Sequence, residues 1–186
     1  MKYDPVKKVF GDIVSNNAFL RKVFYFLLDL MFLRSWHVRK KIKQYFPKNT
    51  VMKIFDAGMG FGQYTYFMAK RFPDSDILAI DVKEEQVNDC RNFFSKTGYD
   101  KVKFEIGDLT KIEYKEQFDF ILCVDVMEHI FEDELVFRNF ANALKKGGRL
   151  LVNTPSNLGG SDAHSEDDDS FIEEHARLGY SKEDIT

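Results

Sequence analysis

The chain has 186 residues, of which 44% are hydrophobic and 31% are charged, a composition typical of a globular protein with its own core. Its two cysteines, Cys90 and Cys123, are too few for a disulfide framework, and no Cys/His cluster has the spacing of a structural zinc site. The composition therefore argues against a disulfide-rich secreted protein and against a metal site, and it favours a cytoplasmic location.

The net charge of −3 is unevenly distributed along the chain. Residues 1–50 carry a charge of +8, whereas residues 51–186 carry −11. The basic segment contains an apolar stretch, residues 23–33, which is shorter than the roughly 20 residues that a membrane-spanning helix needs. Two interpretations stay open: a lid helix packed on the rest of the protein, or peripheral contact of residues 19–43 with an anionic membrane.

The predicted elements change in character after residue 50. Residues 1–50 predict a helical lid or cap, whereas in residues 51–155 short apolar runs alternate with helical stretches. Strands are predicted over 51–56, 76–81, 102–107, 118–125 and 149–154, and helices over 62–72, 83–96 and 132–146, the last of them ended by Gly147 and Gly148. This alternation is typical of an α/β fold, a doubly wound, Rossmann-like parallel sheet with helices on both faces.

The remaining residues, 156–186, are polar and acidic at first and helical at the end. Residues 156–170 predict an acidic loop, and a C-terminal helix is predicted to begin near Ser181 as its N-cap.

A glycine-rich turn, DAGMGFG, follows the first predicted strand at residues 56–62. Glycines at alternate positions let a ligand lie against the main chain, and the N-terminus of the next helix offers free N–H groups. The dinucleotide pattern G-x-G-x-x-G needs its last glycine where Gln63 stands, and no Gly-Lys-Ser/Thr of a P-loop follows. A purely structural turn is the alternative to a ligand site.

Acidic residues stand at the ends of the later predicted strands. Asp81 follows Gly62 by nineteen residues and ends the second strand, a position suited to binding both ribose hydroxyls of a nucleoside. Asp108 follows the third strand, next to the apolar Leu109, and Asp125 ends the fourth. These positions favour a nucleoside ligand over bare phosphate, and they do not separate S-adenosylmethionine from NAD.

Taken in order, the segments DAGMGFG, DILAID, FEIGDLT, FDFILCVDVMEHI and LKKGGRLLVNTP resemble the class I S-adenosylmethionine-dependent methyltransferases over about residues 50–155. The stretch DVMEH is similar to the D-V-x-E-H of their type 11 group of small-molecule and lipid methyltransferases. The resemblance implies S-adenosylmethionine as the cofactor, with S-adenosylhomocysteine as its product, and a small-molecule or lipid-like acceptor.

The resemblance also implies a role for each matching residue. The glycine turn would contact the methionine part of the cofactor, Asp81 its ribose and Asp108 its adenine. Main chain at Cys123 and Val124, near the end of the fourth strand, would approach the methionine part. The implied cofactor contacts are Asp56, Gly58, Gly60, Gly62, Asp81, Val82, Asp108, Leu109, Cys123, Val124 and Asp125. For Asp125, a helix N-cap is an equally open interpretation.

Catalysis by such a protein is mostly a matter of positioning the acceptor, with a general base where the acceptor needs one. His129 is the candidate base because histidine titrates near neutral pH, and Glu128 beside it is the second candidate. Two other functions stay open: an NAD-dependent oxidoreductase, and a non-catalytic nucleoside-binding module. Nucleic acid is disfavoured as a partner because residues 51–186 are acidic.

Members of the resembled family complete the sheet with two more strands, the last of them antiparallel. The thirty-two residues after Thr154 show no such pattern, so the sequence predicts a sheet truncated after strand five. Three explanations stay open: the chain is a fragment of a longer protein, the N-terminal helices cover the edge of strand five, or another chain covers this edge, as in a homodimer.

Overall fold

The computed structural model describes residues 17–157 and 179–181. Within these residues two helices precede an alternation of strands and helices, and this alternation agrees with the sequence prediction. In chain order the elements are α1 (Ala18–Met31), α2 (Leu33–Tyr45), β1 (Lys53–Ala57), α3 (Gln63–Arg71), β2 (Asp76–Asp81), α4 (Glu84–Ser95), β3 (Val102–Ile106), β4 (Phe118–Val124), α5 (Asp133–Ala143) and β5 (Leu144–Asn153). Two short 3₁₀ turns, Leu109–Lys111 and Met127–His129, follow β3 and β4.

The five strands form one sheet in the order β3-β2-β1-β4-β5, and every pairing is parallel. The chain runs outward from β1 in one direction and then restarts at β4 on its other side. The predicted doubly wound sheet is therefore confirmed, with its topological switch point between β1 and β4. In open α/β sheets, ligands bind at this point, outside the carboxyl ends of the strands.

The last predicted helix and strand meet earlier than the sequence indicates. The helix predicted to reach residue 146 ends at Ala143, and β5 begins at Leu144 instead of residue 149. Leu144 pairs with Phe118, and the register shifts before Phe120, so the glycine pair belongs to an irregular part of the strand. Pairing with β4 thus overrides the helical propensity of the Leu-Lys-Lys segment.

Hydrophobic residues pack on both faces of the sheet, as expected for a doubly wound fold. One core contains Tyr25 of α1 and Ile42 of α2 together with the aromatic side chains of α4. The other is built around Phe55 of β1 and Phe140 of α5. Residues of α1 and α2 therefore belong to the core on the α4 side of the sheet, and a lid role for these helices stays a prediction.

Helix α1 buries an arginine and a tyrosine and exposes several of its apolar side chains. Asn17 caps its N-terminus by accepting hydrogen bonds from two backbone amides, and its buried residues are Arg21 and Tyr25. Arg21 is one of the basic residues of the N-terminal segment, yet its side chain is only 1% exposed. Several apolar residues of the two helices face outward instead, with Leu30 at 72% and Leu33 at 79% exposure. In the part of the chain that the structure describes, no helix combines the length and hydropathy needed to cross a membrane.

The described part of the C-terminal segment, residues 179–181, contacts the chain just after β5 and the start of α5. Ser156 and Tyr180 form a parallel bridge, and the Tyr180 hydroxyl donates a 2.7 Å hydrogen bond to Asp133 at the start of α5. Most of the predicted acidic loop and the helix predicted after Ser181 lie outside the described residues.

Candidate functional site

The carboxyl ends of the strands bring most of the predicted site residues to one edge of the sheet. Ala57 at the end of β1 lies beside Ile80, and Asp81 at the end of β2 pairs with Ile106 at the end of β3. On the other side of β1, Val124 ends β4 opposite Asn153. The predicted positions that follow these strand ends therefore lie along one edge of the sheet, beside the crevice in which a doubly wound fold binds its ligand.

The glycine turn, residues 58–62, is fastened to the end of β2. The amides of Gly58 and Met59 both donate to the carbonyl of Ile80 at 3.0 Å, and the amide of Gly60 donates to Asp81 Oδ2 at 2.9 Å. The three glycines have φ angles of 82°, 53° and 76°, a region that side-chain-bearing residues rarely adopt. The turn is thus a defined loop whose backbone is bonded directly to the predicted ribose-binding residue.

The three glycines serve different purposes. A Cβ atom on Gly58 would lie 2.3 Å from Val126 Cγ2, and one on Gly62 would lie 2.9 Å from Cys90 Sγ, so both glycines permit internal packing. At Gly60 a Cβ atom would meet no protein atom within 4 Å. Gly60 therefore adjoins open space at the crevice, as a backbone that a ligand approaches would.

Asp81 lies at the crevice, half-buried. Its Oδ2 accepts from the Gly60 amide, and its Oδ1 accepts from the Lys83 amide at 2.9 Å. Each carboxylate oxygen can accept a further hydrogen bond. Val82, the next residue, is 64% exposed and offers an apolar surface beside it. The two residues together have the polar and apolar character that a nucleoside needs.

Asp108 is held by the 3₁₀ turn that follows β3. Its Oδ1 accepts from the Thr110 hydroxyl at 2.7 Å and from the Thr110 amide at 2.9 Å, and Lys111 pairs with Oδ2 at 3.1 Å. These hydrogen bonds, with the Thr110 hydroxyl first, lower the pKa of Asp108 and keep it ionised. Leu109 is buried beneath it. An open surface depression of about 380 Å³ is lined by Gly107, Asp108 and residues 111–114.

Asp56 lies inside the protein rather than at the surface of the crevice. It is 3% exposed, and the hydroxyl of Thr65 on α3 donates to its Oδ2 at 2.5 Å. Burial raises the pKa of Asp56 to about 7, and the nearby charge of Asp81 adds to the effect. The carboxyl joins β1 to α3 beneath the glycine turn. Its predicted direct contact with a cofactor stays a prediction.

The end of β4 combines buried and charged residues. Cys123 is completely buried, which raises the pKa of its thiol, whereas Val124 is half-buried. Asp125 has a φ of 53° and forms an ion pair with Arg34 of α2. The N-cap interpretation of Asp125 is wrong, because the following 3₁₀ turn begins after Val126 and has no side-chain cap. Burial raises the pKa of Asp125, although the positive charge of Arg34 opposes the shift.

The two candidate catalytic residues differ in their environment. Glu128 is 2% exposed, and its Oε2 accepts from the hydroxyl of Thr154 just after β5, at 3.1 Å. His129 is exposed on the same 3₁₀ turn. The structure places both beside the end of β4, and a catalytic role for either residue stays a prediction. Among the described residues, no group of three or more histidine, cysteine or acidic side chains could hold a metal ion.

Sequence reasoning missed three residues from the N-terminal helices that reach the crevice. Arg34 pairs with Asp125, while Arg21 and Tyr25 hydrogen-bond to the carbonyl of Phe61 in the glycine turn. The only available signal was spacing, since Arg21 and Tyr25 are four residues apart and so share one face of a helix. Nothing in the local sequence indicates which part of the chain that face meets.

Comparison with known proteins gives a consistent result. Residues 48–185 match the family described as methyltransferase domain. Phosphoethanolamine N-methyltransferase 3 of Arabidopsis thaliana is 34% identical over 101 residues, which cover 54% of this chain and 20% of that protein. A ubiquinone biosynthesis O-methyltransferase of Aliivibrio fischeri is 27% identical over 159 residues, which cover 83% of this chain and 64% of that protein. The chain thus spans less than two thirds of either relative.

Solved structures share the fold. The phosphoethanolamine N-methyltransferase 2 of Haemonchus contortus, determined in complex with S-adenosyl-L-methionine, superposes with a TM-score of 0.68 at 22% identity. The match covers 81% of this chain and 35% of that one. At this level of identity the likeness establishes a common architecture for the parallel sheet and its helices, and it leaves the chemistry of the crevice to be argued from the residues.

Proposed function

The chain belongs to the methyltransferase domain family, and on that premise we propose that it transfers a methyl group from S-adenosylmethionine to a small-molecule acceptor. The main observation in support is the glycine turn, where Gly60 leaves open space and its amide is bonded to Asp81. The names of the relatives include phosphoethanolamine and ubiquinone biosynthesis, which supports a small acceptor.

The residues at the crevice fit this cofactor. The open side of Gly60 admits a group close to the backbone, the carboxylate of Asp81 can accept from two ribose hydroxyls, and the ionised Asp108 can accept from an adenine amino group. The N-terminus of α3 directs a positive dipole end toward the turn, which favours a carboxylate there. When bound, S-adenosylmethionine would supply an electrophilic methyl group on its sulfonium.

The protein's own contribution would be to hold the acceptor and to exclude water. Arg34 and Asp125 place opposite charges where α2 meets the end of β4, and Glu128 and His129 follow on the same loop. We propose His129 as the general base for an acceptor that must lose a proton, with Glu128 as the second candidate. His129 is the better placed of the two because its side chain is exposed, whereas Glu128 is buried.

Calorimetric titration tests the cofactor assignment. We expect the parent chain to bind S-adenosylhomocysteine, and Gly60→Ala to weaken this binding about tenfold or more. The alanine methyl group would occupy the open space beside the turn, and the φ of 53° adds strain. Binding of NAD without S-adenosylhomocysteine would contradict the proposal and favour an oxidoreductase.

Gly98→Ala is the matched control for this experiment. Gly98 has a φ of 75°, and a Cβ atom there would also meet nothing within 4 Å. It lies between α4 and β3, at the opposite edge of the sheet from the crevice. The two variants should lose similar stability, and only Gly60→Ala should lose affinity. Equal affinity of the two variants would show that the glycine turn does not approach the ligand.

We also propose that the N-terminal helices contact an anionic membrane, from which a lipid-like acceptor could enter. Exposed apolar side chains form an outer surface on α1 and α2, which comprises Phe19, Phe26, Leu30, Met31, Leu33 and Trp36. Exposed lysines at positions 22, 40, 41 and 43 belong to the same helices and would complement anionic headgroups. A homodimer that covers an edge of the sheet remains a separate prediction.

Co-sedimentation with vesicles tests the membrane contact. We expect the parent chain to sediment with phosphatidylglycerol-rich vesicles and to stay in solution with phosphatidylcholine alone. Replacing both Leu30 and Leu33 by glutamine should leave the protein in the supernatant, because both lie on the outer surface. Val51→Gln is the control, since Val51 is equally exposed at 68% but follows the helices. Equal recovery of the parent with and without anionic vesicles would refute the contact.

A further inference from the structure

A backbone carbonyl in the glycine turn accepts two hydrogen bonds from side chains of helix α1. The oxygen of Phe61 accepts a 2.6 Å hydrogen bond from the Tyr25 hydroxyl and a 2.9 Å hydrogen bond from Arg21 Nη2. The two donors belong to a helix that begins forty residues earlier in the chain. The glycine turn is therefore bonded on one side to Asp81 of β2 and on another to α1.

The arginine of this contact is buried and fully engaged. Arg21 Nε donates to Tyr25 at 2.7 Å, and Nη1 pairs with Asp89 of α4 at 2.5 Å. Its guanidinium also lies over the ring of Phe93, 4.9 Å from the centroid. Burying a guanidinium is unfavourable unless its charge is paired and its donors are bonded. Here the Phe61 carbonyl belongs to the glycine turn, while Tyr25 and Asp89 hold the arginine side chain next to that turn.

The hydrogen bonds from α1 restrict a backbone that would otherwise be mobile. Its three glycines have few conformational restraints of their own, so the unbonded loop would sample many backbone states. A ligand that binds one of these states would have to order the loop as it binds, which weakens its apparent affinity. Fixing the Phe61 carbonyl against α1 holds the following Gly62 at the start of α3 and leaves the Gly60 side open.

We propose that Arg21 and Tyr25 are positioning residues for the cofactor, and that helix α1 is an integral part of the cofactor site. This inference rests on the proposed binding of S-adenosylmethionine at the glycine turn. It follows that occupancy of the turn and attachment of α1 stabilise each other, because coupling between two equilibria is reciprocal. Helix α1 need not touch the cofactor for this to hold.

Tyr25→Phe tests the inference with little change in packing. The ring would keep its contacts with Tyr66 and Phe93, and the hydroxyl would be lost together with its hydrogen bonds to the Phe61 carbonyl and from Arg21 Nε. We expect the dissociation constant of S-adenosylhomocysteine to rise about fivefold. Tyr66→Phe is the matched control: it removes a hydroxyl that contacts Tyr99 in the same aromatic cluster, without a bond to the turn. Its affinity should stay within about twofold of the parent.

Hydrogen exchange on the unmodified chain provides a second readout. Saturating S-adenosylhomocysteine should slow the exchange of amides in α1, residues 18–31, and this protection should disappear in Tyr25→Phe. A parent that binds the ligand without protecting α1, or a Tyr25→Phe variant that binds as tightly as the parent, would overturn the positioning role. A parent that fails to bind S-adenosylhomocysteine would instead refute the proposed function on which the inference rests.

Discussion

Replacing Asp81 by alanine should weaken the binding of S-adenosylhomocysteine by about 100-fold or more. A carboxylate that accepts from two ribose hydroxyls contributes about 1.5–3 kcal/mol for each hydrogen bond, and both are lost together. The substitution also removes the acceptor of the Gly60 amide, so the glycine turn loses its attachment to β2. Calorimetry on the purified variant, with its fold checked by circular dichroism, measures the effect.

Asp76→Ala is the appropriate comparison. Asp76 begins the strand that Asp81 ends, so the two carboxylates lie at opposite edges of the same sheet. Asp76 is exposed and pairs in register with Lys53 at the start of β1, far from the crevice. We expect its removal to leave the affinity unchanged. Equal losses in the two variants would indicate a general effect of net charge, and retained affinity in Asp81→Ala would refute the ribose contact.

Much of the site could be predicted because its residues follow strands. In a parallel sheet all carboxyl ends lie at one edge, so the positions after a strand are neighbours even when far apart in sequence. Asp81 and Gly60 illustrate this: the sequence predicts both as ligand contacts, and the structure joins them by a hydrogen bond. Local patterns of apolar residues suffice for such predictions, since each strand has to be located only to within a residue or two.

What the sequence could not indicate depends on contacts between distant elements. Arg21 lies in an apolar helix next to Lys22, and its burial depends on Asp89 and on the Phe61 carbonyl, neither of which is nearby in the chain. The early start of β5 has the same origin, because Leu144 becomes a strand residue only through its pairing with Phe118. Intrinsic propensity is a weak guide wherever tertiary pairing decides the conformation.

Asp56→Asn should change how the stability of the protein depends on pH. Burial raises the pKa of Asp56 to about 7, well above its ordinary value of 3.8, so the folded protein holds a proton that the unfolded chain releases. The resulting stabilisation is complete below about pH 4 and is lost as pH rises to about 7, on the order of 1 kcal/mol per pH unit. Asparagine resembles the protonated acid and removes this dependence. Urea unfolding at several pH values should show that the free energy of unfolding of the variant rises relative to that of the parent between pH 4 and 7.

Asp119→Asn should show the opposite trend and so serves as the control. Burial of Asp119 acts to raise its pKa, but hydrogen bonds from Lys145 and from the Lys53 amide outweigh it, and the pKa is lowered. The stabilisation by ionised Asp119 is therefore present above pH 4 and is lost on acidification. The variant should have a lower free energy of unfolding than the parent at neutral pH, and the difference should shrink as the pH falls. If Asp56→Asn and the parent instead kept a constant difference in stability from pH 4 to 8, Asp56 would be ionised in the folded protein. The carboxyl beneath the glycine turn would then carry a negative charge beside Asp81 and oppose ligand carboxylates at the crevice.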